Sequence, residues 1–142
     1  MLNSDRPTRS IYLPIVRDQV PDALAVFDFA ESSLVVGERE VTTVPSQALY
    51  LMNNPTVQKL AEGMADRLLS KELCGVELSQ AAFQLAYSRL PNPRELHAAQ
   101  EFFGRFSSDD GERYSNKGKP SRAGLTAFCQ ALLGSAEFRY LN

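Results

Sequence analysis

Tryptophan is absent from this 142-residue chain, histidine occurs once and cysteine only twice. Each scarcity removes a class of chemistry. With His97 as the single histidine, a metal enzyme would have to build its site from carboxylates, and those are scattered along the chain. Cys74 and Cys129 are widely separated, with no CxxC or CxxCH spacing, so neither zinc nor attached haem is supported. They read as two separate thiols rather than a disulfide, and Cys129, within AFCQALL, suits a core helix. Lysine plus arginine (15) do not exceed aspartate plus glutamate (17), giving a net charge of -2 and no basic footprint for nucleic acid. No apolar run reaches the roughly 18 residues of a membrane span. MLNSDRPTRS lacks the hydrophobic stretch of a signal peptide, so an exported parent would have to be longer than this chain. GxGxxG, P-loop and GxSxG motifs are also missing.

What is present is ordinary globular material, 44% hydrophobic and 23% charged. The length suits a single helical domain over residues 1–142. The periodicities predict an all-α fold, an irregular bundle of about five to six helices preceded by an extended segment over residues 1–20. In that segment SIYLPIVR is β-branched and aromatic but broken by Pro14, which suits an edge or docking strand. Pro21 then opens a short helix, PDALAVFDFA, with Asp22 favourably placed near its start. Residues 107–120, SSDDGERYSNKGKP, are almost without apolar side chains and are expected to form a mobile loop.

The most organised stretch is TTVPSQALYLMNNPTVQKL. Thr43 can cap a helix that tolerates Pro45 in its first turn, with Ala48, Leu49 and Met52 as its apolar stripe. Asn53 can end that helix in the left-handed conformation. Asn54 and Pro55 start the next, whose buried face is expected to hold Val57, Leu60, Ala61, Met64 and Leu68. Further on, Leu78, Ala82 and Leu85 with Phe83, Ala86 and Leu90 predict a central helix from Val76 to Leu90. Asn92-Pro93-Arg94-Glu95 is a capping box, and Leu96, Ala99, Phe103 and Phe106 form the inner face behind it. The last long helix should bury Leu125, Phe128, Cys129 and Leu132, end at Gly134 and hand over to a cap at Ser135.

No self-contained catalytic, cofactor-binding or metal-binding set emerges. His97, between Arg94 and Glu101, reads as a solvated helix-face residue because no nucleophile accompanies it. Asp28 with Glu31 reads as a helix-end carboxylate rather than an acid pair. Arg9, Arg17 and Arg39 lie among apolar stretches with acidic partners available, which favours structural pairing. Gln47 is a polar side chain flanked by apolar neighbours. Should these groups bind a ligand, the candidate patch is Arg17, Asp28, Arg39 and Gln47.

One pattern ties these residues together: Arg-Ser-x-Tyr-Leu-Pro, then Phe-Asp-x-Ala, then Gly-x-Arg-x-x-Thr-x-x-Pro-x-Gln-Ala-Leu-x-Leu-x-Asn-x-Pro. It falls on Arg9, Ser10, Tyr12, Leu13, Pro14, Phe27, Asp28, Ala30, Gly37, Arg39, Thr42, Pro45, Gln47, Ala48, Leu49, Leu51, Asn53 and Pro55. With these motifs, and with AFCQALLGSAEFRYLN at its end, the chain resembles the C-terminal part of a domain of unknown function typical of planctomycete proteins. Ser88 stands where that family usually places glycine, and Glu31-Ser32 replaces an Asp-Pro. The resemblance implies an extracytoplasmic location and upstream domains of the same parent chain as partners, sometimes including a planctomycete-type cytochrome c domain. It implies no haem site here. Two functions are then expected as alternatives. One is a non-catalytic helical structural or interaction module; the other is part of an enzyme or electron-transfer protein whose active site lies mostly upstream. In isolation, Tyr12, Leu13, Ile15 and Val16 would have to fold back on the chain or be covered in a homodimer.

Overall fold

Asn54 and Pro55 open a long, well-buried helix as their chemistry requires. In the computed structural model, the Asn54 carboxamide oxygen accepts from the backbone N–H groups of Thr56 (2.8 Å) and Val57 (3.4 Å), and Pro55 takes the first helical position. The structure describes residue 12 and residues 20–29, 45–109 and 120–140. They form helices joined by turns and short connections, with no strand among the described residues: α1 (Asp22–Val26), α2 (Pro45–Asn53), α3 (Pro55–Leu69), α4 (Gly75–Tyr87), α5 (Pro93–Asp109), α6 (Arg122–Gly134) and α7 (Ala136–Arg139). The extended segment expected over residues 1–20 lies outside the described residues apart from Tyr12, which is exposed, and Val20. The chain divides into two compact units, Met1–Tyr50 and Leu51–Asn142.

The larger unit is organised around α3 and α6, which share its most extensive interface. Ala61 and Ala65 on α3 are fully buried, as are Leu68 on the same face and Leu125 and Cys129 on α6. Small side chains let two helices approach closely, and the larger leucines fill the space beside them. Around this seam lie Leu78, Ala82 and Phe83 of α4 and Ala99 and Phe103 of α5. Phe128 joins the layers: its ring centroid is 4.9 Å from Phe103, 5.8 Å from Phe102 and 6.4 Å from Phe83. Gly124 marks a close crossing, since a Cβ there would meet the Phe106 ring at 3.0 Å.

The capping box of α5 closes in both directions. Asn92 Oδ1 accepts from the N–H groups of Arg94 (2.9 Å) and Glu95 (3.0 Å), and the Asn92 N–H donates to Glu95 Oε2 (2.7 Å). Ser121 caps α6 through Gly124 N–H at 3.1 Å, and Ser135 caps α7 through Phe138 N–H at 3.1 Å.

Several expectations need correction. Leu60 is 59% exposed; the buried stripe of α3 is Val57, Ala61, Ala65 and Leu68, with Met64 half-buried. Leu49 and Met52 are exposed, and the one buried residue of α2 is Gln47. Asn53 ends α2 without a left-handed backbone. α4 stops at Tyr87 rather than Leu90, leaving Leu90 exposed. The α5 helix continues through residues 107–109, where a loop was expected; residues 110–119 lie outside the described residues. Thr43 also lies outside them.

The stop of α4 explains one unusual residue. Ser88 ends the helix at φ 58° and ψ 22°, with its N–H bonded to the Gln84 carbonyl. This is a left-handed cap, which glycine adopts freely and serine does not. Ser88→Gly relieves roughly 1–2 kcal/mol of left-handed strain and returns roughly 0.5–1 kcal/mol through unfolded-state entropy. The expected net result is a gain of about 0.5–1 kcal/mol in denaturant unfolding. A loss of stability would mean that the serine side chain makes a contact worth more than the strain.

Candidate functional site

Two of the four candidate residues meet. α1 is short, and its chain end turns on Asp28, whose φ of 55° places it in the left-handed region. The Phe29 N–H reaches back to the Leu24 carbonyl (3.1 Å), the long bond of a Schellman-type helix end. Aspartate tolerates this backbone better than most residues. The turn leaves the half-buried Asp28 carboxylate able to accept from Gln47 Nε2 at 3.3 Å. Gln47, on α2, is only 3% exposed. Beside them the rings of Phe27 and Tyr50 meet edge to face at 5.8 Å and 89°. The Phe-Asp and Gln-Ala-Leu motifs, distant in sequence, are therefore one local cluster within Met1–Tyr50. Arg17 and Arg39 lie outside the described residues.

This hydrogen bond joins the Asp28 carboxylate as acceptor to the Gln47 amide as donor, with no hydroxyl, thiol or imidazole in it. It satisfies a buried amide and ties the turn after α1 to Gln47 of α2. The histidine and cysteine side chains among the described residues belong to the larger unit. Among the described residues no group of three or more histidine, cysteine or acidic side chains could hold a metal ion. His97 is exposed on α5. Both cysteines are free, Cys74 exposed and Cys129 buried. Burial pushes the Cys129 thiol up to about 12, which keeps it protonated and unreactive at neutral pH. A shallow depression on α5, about 360 Å³, is lined by Ala98, Glu101, Phe102, Arg105 and Phe106, with the Glu101–Arg105 ion pair among its lining groups.

Sequence reasoning missed Arg89, a highly connected polar residue among those described. Nη1 and Nη2 grip Glu95 at 2.9 and 2.7 Å, while Nε and Nη2 grip Glu137 at 2.6 and 2.7 Å. Nη1 also donates to the Leu90 carbonyl at 3.0 Å, so all five guanidinium N–H groups have acceptors. The same group stands 5.6 Å from the Phe83 ring centroid and 5.5 Å from that of Tyr87. Its hydrogen bonds hold the Glu95 and Glu137 carboxyls below the usual glutamate range, and the two carboxylates raise the Arg89 pKa in turn. The signal available in sequence was Glu95, a capping-box residue six positions after an arginine; Glu137 is too distant for spacing to find. A second fork, Arg122 to Asp66 at 2.7 and 2.9 Å, ties the start of α6 to α3 and lowers the Asp66 pKa.

Both forks join elements of the fold, as the Asp28–Gln47 contact does. No curated protein and no solved structure matches the chain. Residues 2–103 match the family PSD1, described as a protein of unknown function (DUF1553), while α6 and α7 lie beyond the matched stretch. Since the match takes in well over half of the sequence, the chain belongs to the DUF1553 family.

Proposed function

We propose that this chain is a non-catalytic helical interaction module of a larger exported protein, placed toward that protein's C-terminal end. The partner is the preceding part of the same parent chain. The observation that carries the reading is an inversion of the usual pattern. Met52 and Leu60 are 61% and 59% exposed, while Gln47 is buried. Large apolar side chains left in water while a polar one is buried mark a surface meant to be covered. The motif resemblance to planctomycete C-terminal domains supplies the extracytoplasmic setting and the upstream partner. No described helix is long and apolar enough to cross a membrane.

Titration calorimetry of this chain against the separately expressed preceding region tests the reading. Binding is expected, together with its loss in a Met52→Asp, Leu60→Asp variant whose helicity is unchanged. Absence of binding would overturn the proposal, and so would binding that the double variant retains. If sedimentation equilibrium instead shows the chain pairing with itself through this face, the partner is a second copy and the upstream assignment fails.

A further inference from the structure

α7 is attached unlike the long helices of its unit. None of its four residues is buried, and Phe138 is 44% exposed. Apolar burial, which holds α3 to α6, therefore contributes little here. Polar groups do the holding. Arg89 clamps Glu137, and the Tyr87 hydroxyl hydrogen-bonds the Leu132 carbonyl (3.1 Å) and Ser135 Oγ (2.9 Å) where α6 passes into α7. Docking also carries a cost: Nε and Nη1 of Arg139 are shielded from water with no hydrogen-bond partner. Opening would return those two nitrogens to solvent.

We propose that α7 is a latch, opening from the bundle while α3–α6 stay folded, with the Arg89–Glu137 fork as its lock. Segments with little buried apolar area and solvent-accessible polar ties open at a fraction of the global unfolding cost. The lock responds to salt and acid. Among the described residues, the charged and titratable groups that act on Glu137 are Arg89 after α4, Tyr87 on α4 and Glu95 on α5, with Arg139 on α7 itself. The only charged side chain of α6, Arg122, is at its far end and engaged with Asp66. Because Arg89 depresses the Glu137 pKa, docking is fully supported above the unfolded glutamate value, about 4.3, and weakens as pH falls through the lower docked value. This reading concerns the far end of the chain from Met52 and Leu60 and stands independently of their partner.

Hydrogen exchange of the full chain at residue resolution is the test. The amides to follow are Tyr140, bonded to the Ala136 carbonyl at 3.0 Å, and Phe138, bonded to Ser135. They are expected to exchange by an opening that is nearly independent of denaturant, while amides from Leu125 to Leu132 follow global unfolding. Glu137→Gln should speed exchange at Phe138 and Tyr140 about fivefold, with no change in α6. Arg89→Met also disturbs Glu95, so Glu137→Gln is the cleaner variant. Exchange of α7 and α6 at one common rate with one denaturant dependence would overturn the latch. Unchanged protection of α7 in Glu137→Gln would overturn the assigned lock.

Discussion

Replacing Phe128 with alanine is expected to cost about 3–5 kcal/mol, a large part of the roughly 5–15 kcal/mol that holds a domain together. Phe128 is 7% exposed and packs against Phe83, Phe102 and Phe103 from two other helices. Truncation removes the ring's transfer energy, leaves a cavity and breaks ring contacts worth about 0.5–1.5 kcal/mol each beyond area. The effect should appear in urea unfolding as a lower midpoint with an unchanged slope. Phe138→Ala is the internal comparison: with 44% exposure, that ring should cost far less. Equal losses at the two positions would contradict the core assigned here.

Gln47→Leu is the second large effect. The substitution keeps approximate size and gains hydrophobicity, so a purely apolar account of the site predicts stabilisation. The hydrogen bond to Asp28 predicts the opposite, because the half-buried carboxylate loses a donor. A loss of about 1–3 kcal/mol is expected. Met52→Ser on the exposed side of the same helix should stay within about 0.5 kcal/mol. An unchanged melting temperature in Gln47→Leu would return Asp28 and Gln47 to the status of a ligand-binding patch.

Much of the larger unit was legible because its helix signals are local. The Asn54-Pro55 start, the Asn92–Glu95 capping box and the Ser135 cap need only neighbouring residues to act. The face of α6 was legible too, since Leu125, Phe128, Cys129 and Leu132 recur at helical spacing. The face of α3 was misjudged by weight: Leu60 drew the stripe toward itself, while the true seam runs through Ala61 and Ala65. Their small side chains matter through how closely α6 approaches, which periodicity in one helix does not encode. Leu49 and Met52 failed for a related reason. A stripe marks a face that could be buried and says nothing about whether its partner belongs to the same chain.

The polar residues divide in the same way. Asp28 and Gln47 could be singled out as polar groups in apolar surroundings, but their meeting depends on a left-handed turn at Asp28. Arg89 went unnoticed because its second carboxylate arrives from α7, a tertiary contact with no local trace. Ser88 is the converse case. The resemblance placed a glycine at this position while the apolar spacing ran the helix on to Leu90, and the positive φ is the physical reason for the earlier stop.

Oxidative footprinting of Met52 tests the central claim most directly. Met52 is 61% exposed and Met64 is half-buried, so peroxide should convert Met52 to its sulfoxide first in the isolated chain. If the exposed α2–α3 surface docks onto the preceding part of the parent protein, Met52 becomes protected in that longer protein while Met64 changes little. Equal oxidation of Met52 in the isolated chain and in the parent would contradict the proposal that this face is an interaction surface.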